Sequence, residues 1–410
     1  MNEYIGFKIQ LFPTQEQKDL LNKYFGACRF TYNWAIDKEK ESYEEDNIFL
    51  SKYSLNNEYT KFKKDNEWLL DFDSTSLKIV LFDVVHAFKE FFKKRNRFPK
   101  YKSKKSVYKM TPIRSDRITI CDNYVKFPKS IGVIKCGRLP NTNIKGIGYK
   151  TPSNEFKYKN FYNGRIIFDG YKYWFTFNMK IDDNINFASV YKFKNVDQKM
   201  DSIIGIDLGC KGKNWIVDSN NNIVNLPDSS KEDKRLLKLR KKLNRQYEVS
   251  RTKACKRSKN REKTIAKINK LEKRKTNKKK NAVHEYVNKN ILSIKPSTIV
   301  LEDLKVSDML KTKNNSIIPK KSREIYNRKV LDSCLTIVQN IIEYKCKANG
   351  IQVIKADQHF ASTQRCSSCG SIQKIGSRSK YKCPVCGMIR DRDLNAAINL
   401  SLYPKISINL

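Results

Sequence analysis

Two cysteine pairs near the C-terminus, Cys366-Ser-Ser-Cys369 and Cys383-Pro-Val-Cys386, constrain this chain more than any other feature. Thiolates are soft ligands, and each Cys-x-x-Cys turn supplies two corners of a tetrahedron. Tandem pairs with 13 residues between them therefore predict a Zn²⁺ site. Gly370 and Gly387 directly follow the pairs, where each knuckle must tighten. Four cysteines leave no open position for water, so this metal is expected to be structural. Arg378, Lys380, Tyr381 and Lys382, between the pairs, are expected to meet a phosphate backbone.

The pairs lead into Asp391-Arg-Asp393-Leu-Asn395-Ala-Ala, where Asp393 opens an amphipathic helix bearing Ala396, Ala397 and Leu400. Two further carboxylates end strand-like apolar runs: Asp207 in Ile203-Ile-Gly-Ile-Asp-Leu-Gly209, and Glu302 in Ile299-Val-Leu-Glu-Asp303. Taken singly, an acidic residue at a strand end is ordinary, and Asp393 would also serve as a helix N-cap. Jointly they describe a reaction centre. Phosphodiester hydrolysis needs an ionised water and a stabilised leaving oxygen, and two Mg²⁺ ions about 4 Å apart supply both. Hard oxygen ligands suit Mg²⁺. Asp207 is expected to bridge the ions, with Glu302 and Asp393 each holding one side. Asp303 and Asp391 rank lower, because alternation along a strand turns Asp303 away from Glu302.

The net charge of +41 over 410 residues points to nucleic acid, and 21 Tyr with 21 Phe offer stacking partners for bases. Residues 231–281 hold 23 Lys/Arg against five acidic residues. Leu236, Leu239, Leu243 and Tyr247, then Ile265, Ile268 and Leu271, keep helical spacing through this stretch. It reads as a long helical hairpin with one apolar stripe and a cationic face. No run approaches the ~18 apolar residues of a membrane span, and no secretory signal opens the sequence. Eleven cysteines without framework spacing fit a reducing compartment, so a cytoplasmic protein is expected. His86, His284 and His359 sit in apolar or basic contexts and are read as structural.

Ile5, Phe7, Ile9 and Leu11 alternate as a strand stopped by Pro13, and Thr14 with Gln17 makes a capping box for a helix carrying Leu20, Leu21, Tyr24, Phe25 and Cys28 on one face. A second amphipathic helix spans 74–94. Short strands are expected at 117–120, 124–127 and 131–135, then a hairpin over 165–177 turning at Asp169-Gly170. A boundary is expected at 195–202. After it come strands 203–208, 213–218 and 223–226, the basic hairpin, a strand ending at Glu302, a helix over 330–347 and a strand over 351–355. That order fits a ribonuclease-H-like α/β core, a mixed sheet with helices on both faces.

With these residues in hand, the chain resembles the TnpB family of transposon-encoded, RNA-guided DNA nucleases, relatives of the type V CRISPR effectors. The likeness runs through Phe7-Lys-Ile-Gln-Leu-Phe-Pro-Thr-Gln-Glu-Gln17, Phe25-Gly-Ala-Cys-Arg-Phe-Thr-Tyr-Asn33, Ala87-Phe-Lys-Glu-Phe-Phe92 and Phe98-Pro-Lys-Tyr-Lys102. It continues through Gly205-Ile-Asp-Leu-Gly209, Leu301-Glu-Asp-Leu304, the cysteine pairs and Asp391–Ala397. Ser362-Thr-Gln-Arg-Cys366 departs slightly, standing where members often have Thr-Ser-Gln.

The resemblance implies a multidomain α/β protein. Residues 1–13 and 101–195 would form a wedge-type β-barrel, with a helical recognition domain, 14–100, inserted in it. Residues 196–361 and 388–410 would form a RuvC nuclease core, with the basic helical hairpin at 231–290 and a zinc-containing target-nucleic-acid-binding insertion at 362–387. The RuvC triad falls on Asp207, Glu302 and Asp393. A guide RNA derived from the transposon end would pair with double-stranded target DNA beside a short motif read by the protein. The protein would act as a monomer with its RNA, in a prokaryotic cytoplasm, on the nucleoid when bound to DNA. Two alternatives keep the same fold: a nuclease-inactive RNA-guided DNA-binding regulator, and a strand-transfer transposase.

Overall fold

The computed structural model describes residues 4–128, 131–139, 148–152, 156–158, 161–180, 199–210, 213–252, 259–310, 320–374 and 378–408. The chain divides into two compact units, Met1–Asn186 and Phe187–Leu410. Of the boundary expected at 195–202, residues 195–198 lie outside the described residues. The remainder already belongs to a strand, because Lys199 pairs with Pro296 ahead of a register shift before Ile203.

The first unit is an antiparallel sheet with helices inserted after its first strand. Its elements are β1 (Tyr4–Phe12), α1 (Gln15–Asp46), α2 (Lys52–Lys64), α3 (Ser74–Phe92), β2 (Lys109–Pro112), β3 (Thr119–Cys121) and β4 (Tyr124–Lys126). Then come β5 (Val133–Cys136), β6 (Gly148–Lys150), β7 (Phe156–Tyr158), β8 (Tyr162–Phe168) and β9 (Tyr173–Lys180). Seven strands pair in the order β2-β8-β9-β1-β5-β4-β3, so the N-terminal strand lies in the middle of the sheet. Alternation decides which face is buried. Phe7, Ile9 and Leu11 of β1 and Tyr173, Phe175, Phe177 and Met179 of β9 are all inside, and the Phe7 and Phe177 rings stack at 5.1 Å.

The Thr14 capping box is present, with Gln17 N–H donating to the Thr14 hydroxyl and Thr14 N–H to the Gln17 side chain. The hairpin turn centres one residue later than its sequence signal. Asp169 accepts from the Tyr171 and Lys172 N–H groups, and Gly170 takes the left-handed backbone at φ +84°. Arg117, expected to start a strand over 117–120, instead ends a 3₁₀ turn over 115–117, and the strand begins at Thr119.

The second unit is a mixed sheet between helical layers. Its elements are β10 (Lys199–Leu208), β11 (Ile216–Asp218), β12 (Ile223–Val224), α4 (Ser230–Thr252), α5 (Lys259–Tyr286), β13 (Pro296–Glu302), α6 (Val306–Leu310) and α7 (Lys320–Ser333). They are followed by α8 (Leu335–Ala348), β14 (Gln352–Ala356), β15 (Lys380–Lys382), β16 (Ile389–Asp391) and α9 (Arg392–Ile408). The strand order is β12-β11-β10-β13-β14, antiparallel up to β10 and parallel from β10 to β14.

Ile204, Ile206 and Leu208 pack against Val283, Tyr286 and Val287 from the α5 side and Val338 and Ile342 of α8. On the opposite face Val300, Ala356 and Ile203 meet Leu400 of α9. Strands covered on both faces read as the near-continuous apolar runs seen here. The helix expected over 330–347 is broken: Cys334 takes φ +54°, ending α7 and restarting the chain as α8.

Candidate active site

Strand geometry brings two of the three carboxylates together before any side chain is considered. In β10, residues 203, 205 and 207 share the face toward α9, and in β13 residues 300 and 302 do the same. The parallel register pairs Gly205 with Val300 and Ile206 with Leu301, so the next residues along, Asp207 and Glu302, stand side by side at the strand ends. The third arrives on α9, which lies against β10 with almost no clearance. A Cβ built on Gly205 would stand 2.1 Å from the Ala397 carbonyl oxygen and 2.3 Å from the Ser401 nitrogen. Only glycine lets the helix backbone approach this strand, and that approach puts the first turn of α9 over the carboxylate pair.

That first turn is capped by Asp391, whose Oδ1 accepts the N–H groups of Asp393 at 3.0 Å and Leu394 at 3.2 Å. The cap expected of Asp393 thus falls to Asp391, leaving the Asp393 carboxylate for other partners. It accepts from Arg392 Nη2 at 2.9 Å and from Asn214 Nδ2 at 3.1 Å. Glu302 accepts the Ser362 hydroxyl, and its carbonyl oxygen accepts Gln339 Nε2 at 3.0 Å.

Burial pushes the Asp207 carboxyl well above its ordinary 3.8, and the charges of Glu302 and Asp393 push it further; Arg392 and the Leu208 N–H oppose this. Burial likewise raises Glu302, against the Ser362 hydrogen bond. Asp207 therefore senses both of the other carboxylates, yet the oxygens of the three do not all come within 4.8 Å of one another. Asp303 lies beyond the end of β13, its N–H donating to the Ala356 carbonyl at 3.3 Å.

Cys366, Cys369, Cys383 and Cys386 do form a close set, every sulfur within 4.8 Å of the others. Cys366 Sγ lies 3.7 Å from Cys386 Sγ, and Cys369 Sγ lies 3.6 Å from Cys383 Sγ. A tetrahedron with Zn–S bonds of about 2.3 Å has edges of about 3.8 Å, so the donors fit zinc. The knuckles match: Gly370 N–H donates to the Cys366 carbonyl, Gly387 N–H to the Cys383 carbonyl, and both glycines have positive φ. The Ser371 hydroxyl and the Cys386 N–H lower the Cys383 thiol to about 6.

Tyr381 departs from its expected role. It is fully buried beneath the knuckles, its hydroxyl donating to the Gln364 carbonyl, whereas Arg378, Lys380 and Lys382 are exposed. Cys383→Ser is expected to reduce bound zinc from about one equivalent to near none, read by elemental analysis, and to lower Tm. Full zinc retention would contradict the assignment.

The basic stretch is a helical hairpin, α4 against α5. Its acidic residues tie the helices together: Arg240 bonds Glu272 at 2.6 Å, Lys275 bonds Asp233 at 2.6 Å, and Lys278 bonds Glu232 at 2.8 Å. Lys234, Lys238, Lys241, Lys242, Lys263 and Lys267 remain exposed. No described helix is long and apolar enough to cross a membrane.

Known proteins align with both ends of this architecture. Residues 337–400 match the Cas12f1-like, TNB domain family, from α8 through both cysteine pairs into α9, and residues 1–47 match a helix-turn-helix domain of the IS605 OrfB type. A Streptomyces pristinaespiralis protein provisionally named RNA-guided DNA endonuclease is 25% identical, over 96% of this chain and 88% of its own. The Escherichia coli (strain K12) protein InsQ, provisionally named likewise, is 25% identical over 98% of this chain and 92% of its own. The fold resembles the protein in a cryo-EM structure of a Cas12f1-sgRNA-target DNA complex, with TM-score 0.55 and 16% identity, covering 95% of this chain and 83% of that one. At both ends and along nearly its whole length, the chain is thus similar to TnpB-like, IS605-type proteins.

Proposed function

We propose that this chain is an RNA-guided, Mg²⁺-dependent DNA endonuclease that cuts beside a short transposon-associated motif. The observation that carries this is the β10–β13 register, with Asp207 and Glu302 side by side on the face that α9 closes with Asp393. Three hard oxygen donors, one pushed upward in pKa by burial and then by the charges of the other two, are a set that a divalent cation relieves. Asp207, Glu302 and Asp393 would hold Mg²⁺. When bound, the ions would lower the pKa of a water and stabilise the leaving oxygen. The chain's own part is orientation: Ser362 fixes the Glu302 carboxylate, while Asn214 and Arg392 fix that of Asp393.

The guide RNA and target DNA are proposed as partners on the charge of the hairpin and on the names of the relatives and of the Cas12f1 complex. We assign 1–13 and 101–195 to a wedge-type β-barrel, 14–100 to a recognition domain, 196–361 and 388–410 to a RuvC-like, ribonuclease-H-like core, and 362–387 to the zinc insertion. Retention of all three carboxylates favours a nuclease over an inactive regulator.

The test is to sequence the RNA that co-purifies with the protein and offer the complex DNA matching its guide segment in Mg²⁺. Guide-dependent double-strand cleavage without joined products supports the reading; strand-transfer products, or binding without cleavage, contradict it.

Replacing Lys238, Lys241, Lys242 and Lys267 by alanine is expected to weaken RNA binding and to reduce the slope of log affinity against log salt by about 3. Filter binding across a salt series measures it, and an unchanged slope would assign the RNA to another surface.

A further inference from the structure

The segment that enters the first cysteine pair is held from two sides. Ser362, 1% exposed, donates its hydroxyl to Glu302, and its carbonyl accepts Asn399 Nδ2 at 2.8 Å. Asn399 Nδ2 also donates to the Arg365 carbonyl at 2.7 Å, as does Asn395 Nδ2 at 2.7 Å. Asn395 Oδ1 accepts the N–H of Ser367, the residue after Cys366, at 3.0 Å. Arg390 Nη1 adds a bond to the Ser367 hydroxyl at 2.7 Å.

Both asparagines are 0% exposed and lie four residues apart on α9, the helix whose first turn carries Asp393. Asparagine is a poor helix former and seldom fully buried, so two on one inward face need a reason. Carbonyl oxygens only accept, and the amide of Asn399 turns both its N–H groups to them. A carboxylate of the same shape could not replace it.

We propose that Asn399, with Asn395 and Ser362, is a positioning residue that sets Glu302 against Asp393, so that the zinc knuckle's entry segment braces the carboxylate site. One peptide, 362–367, bonds Glu302 through a hydroxyl and the Asp393 helix through two amides. Its far end is fixed by Cys366 in the zinc set. Displacing that peptide moves two carboxylates relative to each other without touching either. Outer partners of metal-binding groups typically change metal affinity by about 10–100-fold when removed. The inference rests on the carboxylates being a divalent-ion site.

The experiment titrates Mn²⁺ into the full-length protein with its co-purified RNA, reading free Mn²⁺ by EPR and zinc by elemental analysis in parallel. Binding that Asp207→Asn removes establishes the underlying site; its absence in the unaltered chain would overturn that reading and this proposal together. Given such binding, Asn399→Asp and Ser362→Ala are each expected to weaken it by about 10–100-fold with zinc content unchanged, and Ser362→Thr to restore it. The serine variants leave both asparagines in place and read the same brace if Asn399→Asp does not fold. Unaltered Mn²⁺ affinity in Ser362→Ala, or in a folded Asn399→Asp that has merely lost Tm, would overturn the proposal while leaving the metal site standing.

Discussion

Asp207→Asn is expected to abolish DNA cleavage, by roughly ten-thousandfold or more, while guided DNA binding persists and the metal-free protein becomes more thermally stable. The two halves of this expectation have one cause. Asp207 is pushed upward by burial and by the charges of Glu302 and Asp393, so its folded pKa lies above the unfolded value. A carboxyl with a raised folded pKa contributes a penalty that is absent below the unfolded pKa and grows as pH rises through the folded one. Without metal, the amide removes that penalty at neutral pH and changes nothing in acid, so the gain in Tm should shrink as pH falls. Metal ligation runs the other way. It requires the carboxylate, so the Mg²⁺ concentration for half-maximal cleavage should rise as pH drops toward the Asp207 pKa. A variant that loses Tm and RNA binding along with cleavage would show Asp207 to be structural.

Gly205→Ala is the second large effect, and it arises without touching a charged group. The new methyl would meet the α9 main chain at 2.1 Å and 2.3 Å, and backbone cannot swing aside as a side chain can. Overpacking of this kind costs about 3 kcal/mol, which corresponds to a fall in Tm of roughly 6–12 °C for a unit of this size. Whatever relief the helix finds comes by lifting from β10, which carries Asp393 away from Asp207. Cleavage should therefore fall further than the lost stability explains when assayed well below Tm. Differential scanning calorimetry paired with a cleavage assay separates the two; an alanine variant with native Tm and rate would mean that the helix does not pack on β10 as described.

Much of this site is written in local pattern, and the part that is not has a physical reason. The strands ending at Asp207 and Glu302 are apolar runs with abrupt polar stops, because both faces of the sheet are covered and only the ends reach solvent. The capping box at Thr14 and the cysteine knuckles are signals within a few residues of chain, and they hold in the structure. The Cys334 break is different. A cysteine at φ +54° follows no backbone preference, and neither glycine nor asparagine stands at that position to announce it.

Asp391 and Asp393 compete for one cap, and two residues of register, invisible in composition, decide between them. Tyr381, flanked by lysines, resembles a solvent-facing base stacker, yet two-residue alternation in β15 turns it inward under the zinc set. Asn395 and Asn399 carried a legible signal. They stand on the face shared by Ala396, Leu400 and Asp393's neighbours, where an apolar residue would be the default.

The most direct test of the whole account is the manganese anomalous signal from crystals of the RNA-bound protein soaked in Mn²⁺. The account predicts peaks bounded by the carboxylates of Asp207, Glu302 and Asp393, and their loss in Asp207→Asn crystals. Density at other acidic side chains, with none among these three in protein that cleaves DNA, would contradict it.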